Sequence, residues 1–435
     1  MCWPVNFCNH KVRRDDNISD KLDWVTMLFY LALVTLGWIN IFAAVYDETI
    51  KQTIWDLSLN SGRQLLFMIA CIVIVMAIVI VDMRFYEVFA YLIYGLVIVL
   101  LIMVPVIGKE VGGNKSWIGI GSFGVQPSEF AKFATALAVA KYIGSVGFRM
   151  DNFRMQLVLF GIIGLPMLLI LAQKDIGTLL VFSCFIIVFF REGMSPFLLI
   201  VGISGATIFI LTLLIPNQYY LHAGIVIIVV ALIAFGKKKF KRIAFLVIGA
   251  IIVMGVIESV DYVITDVLKP HQQNRIKALI NPDADPLGFG WNVTQSKIAI
   301  GSGRFSGKGF LKGTQTKFDF VPEQSTDFIF CTIGEEYGWI GSFVTITLFV
   351  ALLLRVIFIA ERQKSRFARS YGYCVASIFF FHFAINIGMT IGLFPVIGIP
   401  LPFFSYGGSA LWGFTVLLFI LLKLDAHRGE MLQRI

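Results

Sequence analysis

Long uninterrupted apolar segments constrain this chain more than any other feature of its sequence. Several reach about 18 residues, the length at which a helix can cross the hydrocarbon of a bilayer. The whole sequence is 58% hydrophobic and only 14% charged, whereas soluble domains carry about 25% charged residues. Because a helix satisfies its own backbone hydrogen bonds in hydrocarbon, the sequence predicts an all-α, polytopic integral membrane protein.

The hydropathy pattern predicts about twelve transmembrane helices. They lie near residues 25–46, 64–81, 86–107, 128–147, 155–172, 176–191, 195–215, 220–236, 242–258, 327–357, 371–393 and 406–423. The predicted organisation is a cytoplasmic segment 1–24, a single membrane domain 25–425 and a cytoplasmic tail 426–435.

The orientation follows from clusters of Lys and Arg in short loops, which mark the cytoplasmic side. The clusters at Lys237–Arg242, Arg362–Arg369 and Lys423–Arg428 fall on one side of the predicted bundle, together with both termini. The net charge of +9 lies mostly in such loops, so no nucleic-acid partner is expected. The opposite, outer face displays the loop 108–127, the turn at Asp175, the long extracytoplasmic loop 259–326 and the segment 393–405.

Two ionisable residues, Glu129 and Lys132, lie three positions apart at the start of the predicted fourth span and share one face of it. An ionisable group at membrane depth costs about 2.5 to 3.5 kcal/mol unless it faces a partner or a polar cavity. Two interpretations stay open, a structural ion pair and a cavity-lining pair that contacts substrate. Asp175 leaves a similar choice between a tight turn and a substrate contact.

The long outer loop combines carboxylates with basic residues. Asp283 and Asp285 are its candidate proton acceptors, because a carboxylate beside cations suits removal of a proton next to an anionic leaving group. The basic residues nearby in sequence are Arg275, Lys297, Arg304 and Lys308. The stretch from Asp285 to Gly288 is equally compatible with a β-turn. Gly303–Lys308 is not a P-loop, since its spacing is one residue short and no Ser or Thr follows.

Two further polar clusters flank the last three spans. One runs from Gly313 to Phe330 and is followed by Glu335 and Glu336, for which packing and substrate roles both stay open. The other, Pro395–Ser409, holds three prolines and predicts an irregular re-entrant turn, which membrane depth tolerates only against protein or water. The histidines and cysteines lack metal-ligand spacing, so no metal ligand is predicted and no histidine is assigned a role.

Six motifs, in this order, resemble the SEDS family (shape, elongation, division and sporulation), to which RodA and FtsW belong. They are Gln126–Lys132, Asp285–Gly288, Gly313–Gln315, Pro322–Phe330, Gly334–Glu336 and Pro400–Ser409. The resemblance extends over residues 25–425, and Gly313–Gln315 is more similar to the elongation member, RodA. Family members usually have ten spans, so residues 218–260 are interpreted as an inserted helix pair. Lys174 stands where the family usually has proline.

The resemblance implies a peptidoglycan glycosyltransferase that polymerises lipid II at the outer face of the bacterial cytoplasmic membrane, for cell-wall elongation. It implies three catalytic residues, namely Asp285 as the essential loop aspartate and Glu129 and Lys132 as the acid and base of the central cavity. The predicted substrate-binding residues are Lys297, Arg304, Lys308, Gln315, Glu323, Asp327 and Ser405.

No cofactor is evident in the sequence, although a divalent cation, Mg²⁺ or Mn²⁺, held by carboxylates would suit the implied chemistry. The implied partners are a class B penicillin-binding protein and membrane lipids. The alternative function is a flippase for lipid II, because many spans and buried charges also build a translocation path. A third interpretation is a scaffold that only recruits the penicillin-binding protein.

Overall fold

The computed structural model describes residues 22–46, 53–111, 114–120, 123–215, 217–236, 239–262, 289–318 and 320–428. Helices dominate these ranges. In chain order they are α1 (Trp24–Ala44), α2 (Asn60–Ile80), α3 (Met83–Val88), α4 (Ala90–Ile107), α5 (Pro127–Ile143), α6 (Phe153–Ala172), α7 (Ile176–Phe182), α8 (Phe185–Arg191), α9 (Phe197–Leu214), α10 (Gln218–Ala234), α11 (Phe240–Tyr262), α12 (Phe289–Ser302), α13 (Ile329–Glu336), α14 (Gly338–Glu361), α15 (Arg366–Thr390) and α16 (Gly408–Ala426).

The prediction of a helical, polytopic membrane fold is confirmed. In the described part of the chain, eight helices are long and apolar enough to cross a membrane: α1, α2, α4, α6, α11, α14, α15 and α16. Each of the twelve predicted spans falls on helix, while the number of crossings stays a prediction. Within the described part of the predicted outer loop 259–326 lies the helix α12.

A small antiparallel sheet, which the sequence analysis did not predict, occupies the predicted outer loop before α5. Its strands are β1 (Lys109–Val111), β2 (Asn114–Ile120) and β3 (Phe123–Val125), in the order β1-β2-β3. Ile118 pairs with Val125 across β2 and β3. The sheet leads directly into α5, where Pro127 occupies the first turn, a position that suits proline because no backbone N–H is needed there.

The predicted span 327–357 is broken into α13 and α14. The break lies at Gly338, whose φ of +63° is readily adopted only by glycine. A Cβ at Gly338 would lie 2.4 Å from the backbone nitrogen of Gly307, so the outer loop packs directly into the break. The backbone N–H groups of Lys308 and Gly309 donate to the carbonyls of the last two residues of α13. The outer loop is thereby fixed to this bundle end.

The centre of the bundle is built around α5, which packs against α4, α15 and α16. It buries 13 of its 17 residues, and small alanine side chains on it allow close approach of its neighbours. The α10–α11 pair is the opposite case, since α10 has no buried residue among those described and, of the α11 residues whose burial is described, only Ile257 is buried. The pair therefore lies at the periphery.

Candidate active site

A buried ion pair lies near the N-terminal end of α5. The Nζ atom of Lys132 is 2.7 Å from Oε2 of Glu129, and the two residues are 1% and 3% exposed. Glu129 lies in the first turn of α5, where the helix dipole favours a carboxylate. The helical spacing thus brings the two predicted catalytic residues of α5 into direct contact.

A second partner of Lys132 comes from α15, and the sequence analysis missed it. The Nε2 atom of His382 lies 2.9 Å from Nζ of Lys132, and its Nδ1 lies 3.0 Å from the carbonyl oxygen of Pro400. The ring of Phe414 on α16 lies 4.7 Å from the same Nζ, within the range of a cation–π contact. The sequence does hold a signal for His382, because a histidine in the middle of an apolar predicted span is unusual.

Asp175 caps the start of α7 and ties it to α5. Its carboxylate accepts hydrogen bonds from the backbone N–H and hydroxyl of Thr178, which is the geometry of an N-cap. It also accepts from the side chains of Gln126 and Ser128, at 2.8 and 3.2 Å. The turn interpretation accounts for the two bonds from Thr178, and the bonds from Gln126 and Ser128 tie this turn to the start of α5.

The segment that contains Asp327 lies against the re-entrant segment. The amide of Asn386 on α15 donates both to the carbonyl of Asp327, at 2.8 Å, and to that of Ile399, at 2.7 Å. Burial, and next the nearby carboxylates of Glu323 and Asp175, raise the pKa of Asp327 to about 7. The surroundings of Asp327 therefore favour the protonated carboxyl more than water does.

Glu323 and Ser405 have local partners. Glu323 is exposed and accepts a hydrogen bond from the hydroxyl of Thr326. Ser405 is buried, and its hydroxyl accepts the backbone N–H of Leu401 at 2.9 Å. The next backbone N–H, that of Tyr406, donates to the carbonyl of Ser325. Ser405 therefore closes the re-entrant turn that rests on the segment carrying Glu323 and Asp327.

Glu335 on α13 organises the loop that carries Lys308 and Gln315. Its carboxylate accepts from Nζ of Lys308 at 2.6 Å and from the backbone N–H of Gln315 at 2.9 Å. The backbone N–H groups of Thr314 and Thr316 donate to it as well. Burial by itself raises the pKa of Glu335, but Lys308 and these N–H groups outweigh it and lower the pKa to about 2.

The remaining predicted residues are more exposed or lie elsewhere. Lys297 is exposed on α12, and its side chain crosses Gly392, where an added Cβ would lie 2.5 Å from Nζ. Arg304 is exposed, with a φ of +51°. Asp285 lies outside the described residues, together with Asp283 and Arg275.

No metal centre is evident among the residues that the structure describes, because no three His, Cys, Asp or Glu side chains lie close enough to hold an ion. The candidate site consists of a buried core and a more exposed outer rim. The core is Glu129, Lys132 and His382; the rim is formed by the Asp327 segment, the Glu335-bound loop and the re-entrant turn.

The fold and this buried polar centre define a polytopic helical membrane protein with a buried ion pair on the central helix α5. A model of the family FtsW/RodA/SpoVE, described as "Cell cycle protein", matches residues 23–223 and 206–430. The chain belongs to this family, the SEDS family.

Relatives match over most of their length. The chain is 32% identical to "Peptidoglycan glycosyltransferase RodA" of Treponema pallidum, with 94% of this chain and 99% of that protein covered. It is 34% identical to "Peptidoglycan glycosyltransferase MrdB" of Escherichia coli K12, with 79% and 80% covered. The relative "Stage V sporulation protein E" of Bacillus subtilis is 30% identical, with 93% and 97% covered.

Two solved structures share the fold. One belongs to a peptidoglycan synthase complex, with a TM-score of 0.68 at 23% identity and 94% of this chain and 99% of that chain covered. The other is the rod shape determining protein RodA of Thermus thermophilus, with a TM-score of 0.58 at 22% identity and 94% and 98% covered. At such identities the likeness is one of fold.

Proposed function

We propose that this chain is a peptidoglycan glycosyltransferase that polymerises lipid II into glycan strands. The observation that carries the proposal is the nearly full-length similarity to a relative of that name, 32% identical over 94% of this chain. The geometry of the Lys132–Glu129 pair supports a proposed location for the chemistry. A buried ion pair is costly to keep in an apolar bundle, which is understandable if its charges serve a reaction.

In the proposed reaction the 4-hydroxyl oxygen of the acceptor GlcNAc attacks C1 of the donor MurNAc. The bond from C1 to the pyrophosphate oxygen breaks, and its electron pair leaves with undecaprenyl pyrophosphate. Asp285 is the proposed base that accepts the hydroxyl proton. Its position lies outside the described residues, so its assignment rests on the sequence motif.

Lys132 is proposed to stabilise the charge that develops on the pyrophosphate. A cation in a water-poor site acts on nearby charge more strongly than it does in water, and Lys132 is 1% exposed. Glu129 fixes the ammonium through its 2.7 Å contact. Lys297 on α12 and Arg304 just after it are proposed to meet the same pyrophosphate from outside the buried core, since both side chains are exposed.

The proposed setting is the outer face of the bacterial cytoplasmic membrane, with both termini in the cytoplasm. We propose one membrane domain over residues 25–425, with 218–260 as an inserted helix pair and 259–326 as the outer loop. A class B penicillin-binding protein is the proposed partner, and this is supported by the shared fold with a chain of a peptidoglycan synthase complex.

The test is polymerisation of purified lipid II by the protein reconstituted in vesicles, with and without a class B penicillin-binding protein. Wild type is compared with Asp285→Asn, which keeps the shape of the side chain and removes its charge. The matched control is Asp151→Asn, because Asp151 is exposed in the connection between α5 and α6.

Glycan ladders from wild type and Asp151→Asn, but not from Asp285→Asn, are the expected result. Lipid II movement across the vesicle without any ladder would favour the flippase instead. A full ladder from Asp285→Asn would remove Asp285 from the reaction while leaving the glycosyltransferase itself intact.

A further inference from the structure

The imidazole of His382 bridges two parts of the site that the chain brings together from distant positions. On one side it contacts Lys132 on α5, and on the other it contacts the carbonyl of Pro400 in the re-entrant segment, at 2.9 and 3.0 Å. The residue is 2% exposed. None of the roles proposed above uses it.

The two contacts fix the protonation of the ring. A carbonyl oxygen can only accept, so Nδ1 of His382 must carry the hydrogen that points to Pro400. The ammonium of Lys132 can only donate, so Nε2 must be the bare, accepting nitrogen. The ring is therefore neutral in this arrangement, and a second proton on it would point at the cationic Lys132.

This arrangement holds a proton in place instead of passing it on. A relay through the ring would need a proton acceptor beyond Nδ1, and the group there is the carbonyl of Pro400, which is a very weak base. With Lys132 as the ammonium partner of Glu129, the two acceptors, Glu129 and His382, set the direction of its N–H bonds. The ring of Phe414 limits movement from a third side.

We infer that His382 is a positioning residue for Lys132, which it holds toward Glu129 and couples to the re-entrant segment at Pro400. The inference rests on the proposed glycosyltransferase activity, in which Lys132 stabilises the leaving pyrophosphate. His382 acts through Lys132 and touches neither the sugar nor the pyrophosphate.

A purely structural role makes a different prediction. The imidazole also packs edge-on against Phe414, with ring centroids 4.7 Å apart, and a leucine of similar volume would keep much of that packing. Leucine would leave Lys132 with one acceptor fewer and the Pro400 carbonyl without its donor. A glutamine would restore one acceptor and one donor through its amide. Leucine and glutamine therefore separate packing from hydrogen bonding.

The experiment measures lipid II polymerisation by reconstituted wild type, His382→Leu and His382→Gln, with thermal unfolding in detergent as a check on folding. The matched control is His222→Leu on the peripheral pair, where the imidazole lies 3.6 Å from an exposed Glu258. We expect kcat to fall about tenfold to a hundredfold in His382→Leu, the loss typical of one hydrogen bond to a charged group.

KM should change by less than about threefold in His382→Leu, because the lost interaction acts in the transition state. His382→Gln should recover most of kcat, and His222→Leu should match wild type. If His382→Leu does not fold, His382→Asn takes its place, since its amide is one methylene too short to reach both partners and kcat should again fall well below that of His382→Gln.

Full kcat in a folded His382→Leu would overturn the inference and leave the proposed function intact. The same holds if a folded His382→Gln has a kcat no higher than that of His382→Leu, or of His382→Asn where that variant replaces it. Absence of glycan from wild type, with the partner present, would overturn the proposed function and the inference that rests on it. The two failures are thus distinguishable by the wild-type lane.

Discussion

The centre of the bundle and the α10–α11 pair are both helical and both apolar, yet their ionisable side chains differ in burial and in the number of helices that contact them. At the centre, Lys132 and Glu129 are buried at 2.7 Å from one another, and α15 and α16 supply further contacts. In the pair, His222 faces Glu258 at 3.6 Å, with Glu258 exposed. The difference indicates that only the central contact is built into the packing of several helices.

Hydropathy ranks these two regions in the reverse order of their burial. The strongly apolar α11 is long and apolar enough to cross a membrane although very little of it is buried, whereas the buried α5 is not among the eight such helices of the described residues. Polar side chains lower the hydropathy of α5, and those side chains are tolerated because protein surrounds them. In this chain an apolar helix is a sign of contact with lipid, and a less apolar one marks the centre.

The largest effect is expected from Lys132→Met. The substitution leaves Glu129 buried without its cation, and breaking a buried pair from one side costs about 3 to 5 kcal/mol. We expect loss of glycan synthesis and a clear fall in the unfolding temperature in detergent. Lys141→Met on the same helix is the control, because the ammonium of Lys141 contacts the Val88 carbonyl and the ring of Tyr91 and has no carboxylate partner among the described residues. An equal loss in both variants would contradict the special status of the centre.

A smaller effect is expected from Glu335→Gln at the outer rim. The pKa of Glu335 lies at about 2, below its ordinary value of 4.5. The ionised carboxylate therefore adds to the free energy of unfolding above pH 4.5, and this stabilisation is lost as the pH falls toward 2. At pH 7 we expect the variant to lose about 3 kcal/mol of unfolding free energy. Thermal unfolding between pH 7 and pH 3 should show the gap to wild type narrowing. A gap independent of pH would argue against the ionised carboxylate as its cause.

Asp327→Asn should raise the free energy of unfolding at high pH, whereas Glu335→Gln lowers it. The pKa of Asp327 is raised from 3.8 to about 7, so the folded wild type loses stability as the pH rises between these values. The neutral variant avoids that loss, and we expect it to be more stable than wild type at pH 8 by about 2 kcal/mol, after allowance for partial exposure. The advantage should disappear at pH 4, and its persistence there would refute the assignment.

The smallest effect is expected from His222→Leu in the peripheral pair. The contact with Glu258 is long and open to its surroundings, and such pairs contribute less than about 0.5 to 1 kcal/mol. Thermal unfolding and lipid II polymerisation should both match wild type. A loss comparable with that of Lys132→Met would show that the two regions do not differ in the way the packing indicates.

The sequence alone was sufficient to predict the helices and to place Glu129 and Lys132 together on one helix face. Long apolar runs predict spans because the bilayer imposes their length, and the three-residue spacing of Glu129 and Lys132 places them on one helix face. The break at Gly338 was missed because hydropathy carries no information on the approach of Gly307 to that backbone. The outer sheet was missed because its strands are short.

The contact of His382 with Lys132 joins residues 250 positions apart, and its other partner is a backbone carbonyl. Neither leaves a local spacing that a sequence pattern could reveal. The roles of Asp285, Lys297 and Arg304 stay predictions, because they concern an outer loop whose chemistry was inferred from motif resemblance.

The re-entrant segment is held to α15 through its own backbone. His382 and Asn386, one helical turn apart, donate to the carbonyls of Pro400 and Ile399. Every residue has a carbonyl, so substitutions at positions 399 and 400 can drift as long as the path of the chain is kept. The two donors on α15 have no such freedom, because only their side chains can make these bonds. Among related sequences we therefore expect more substitutions at positions 399 and 400 than at His382 and Asn386 on α15.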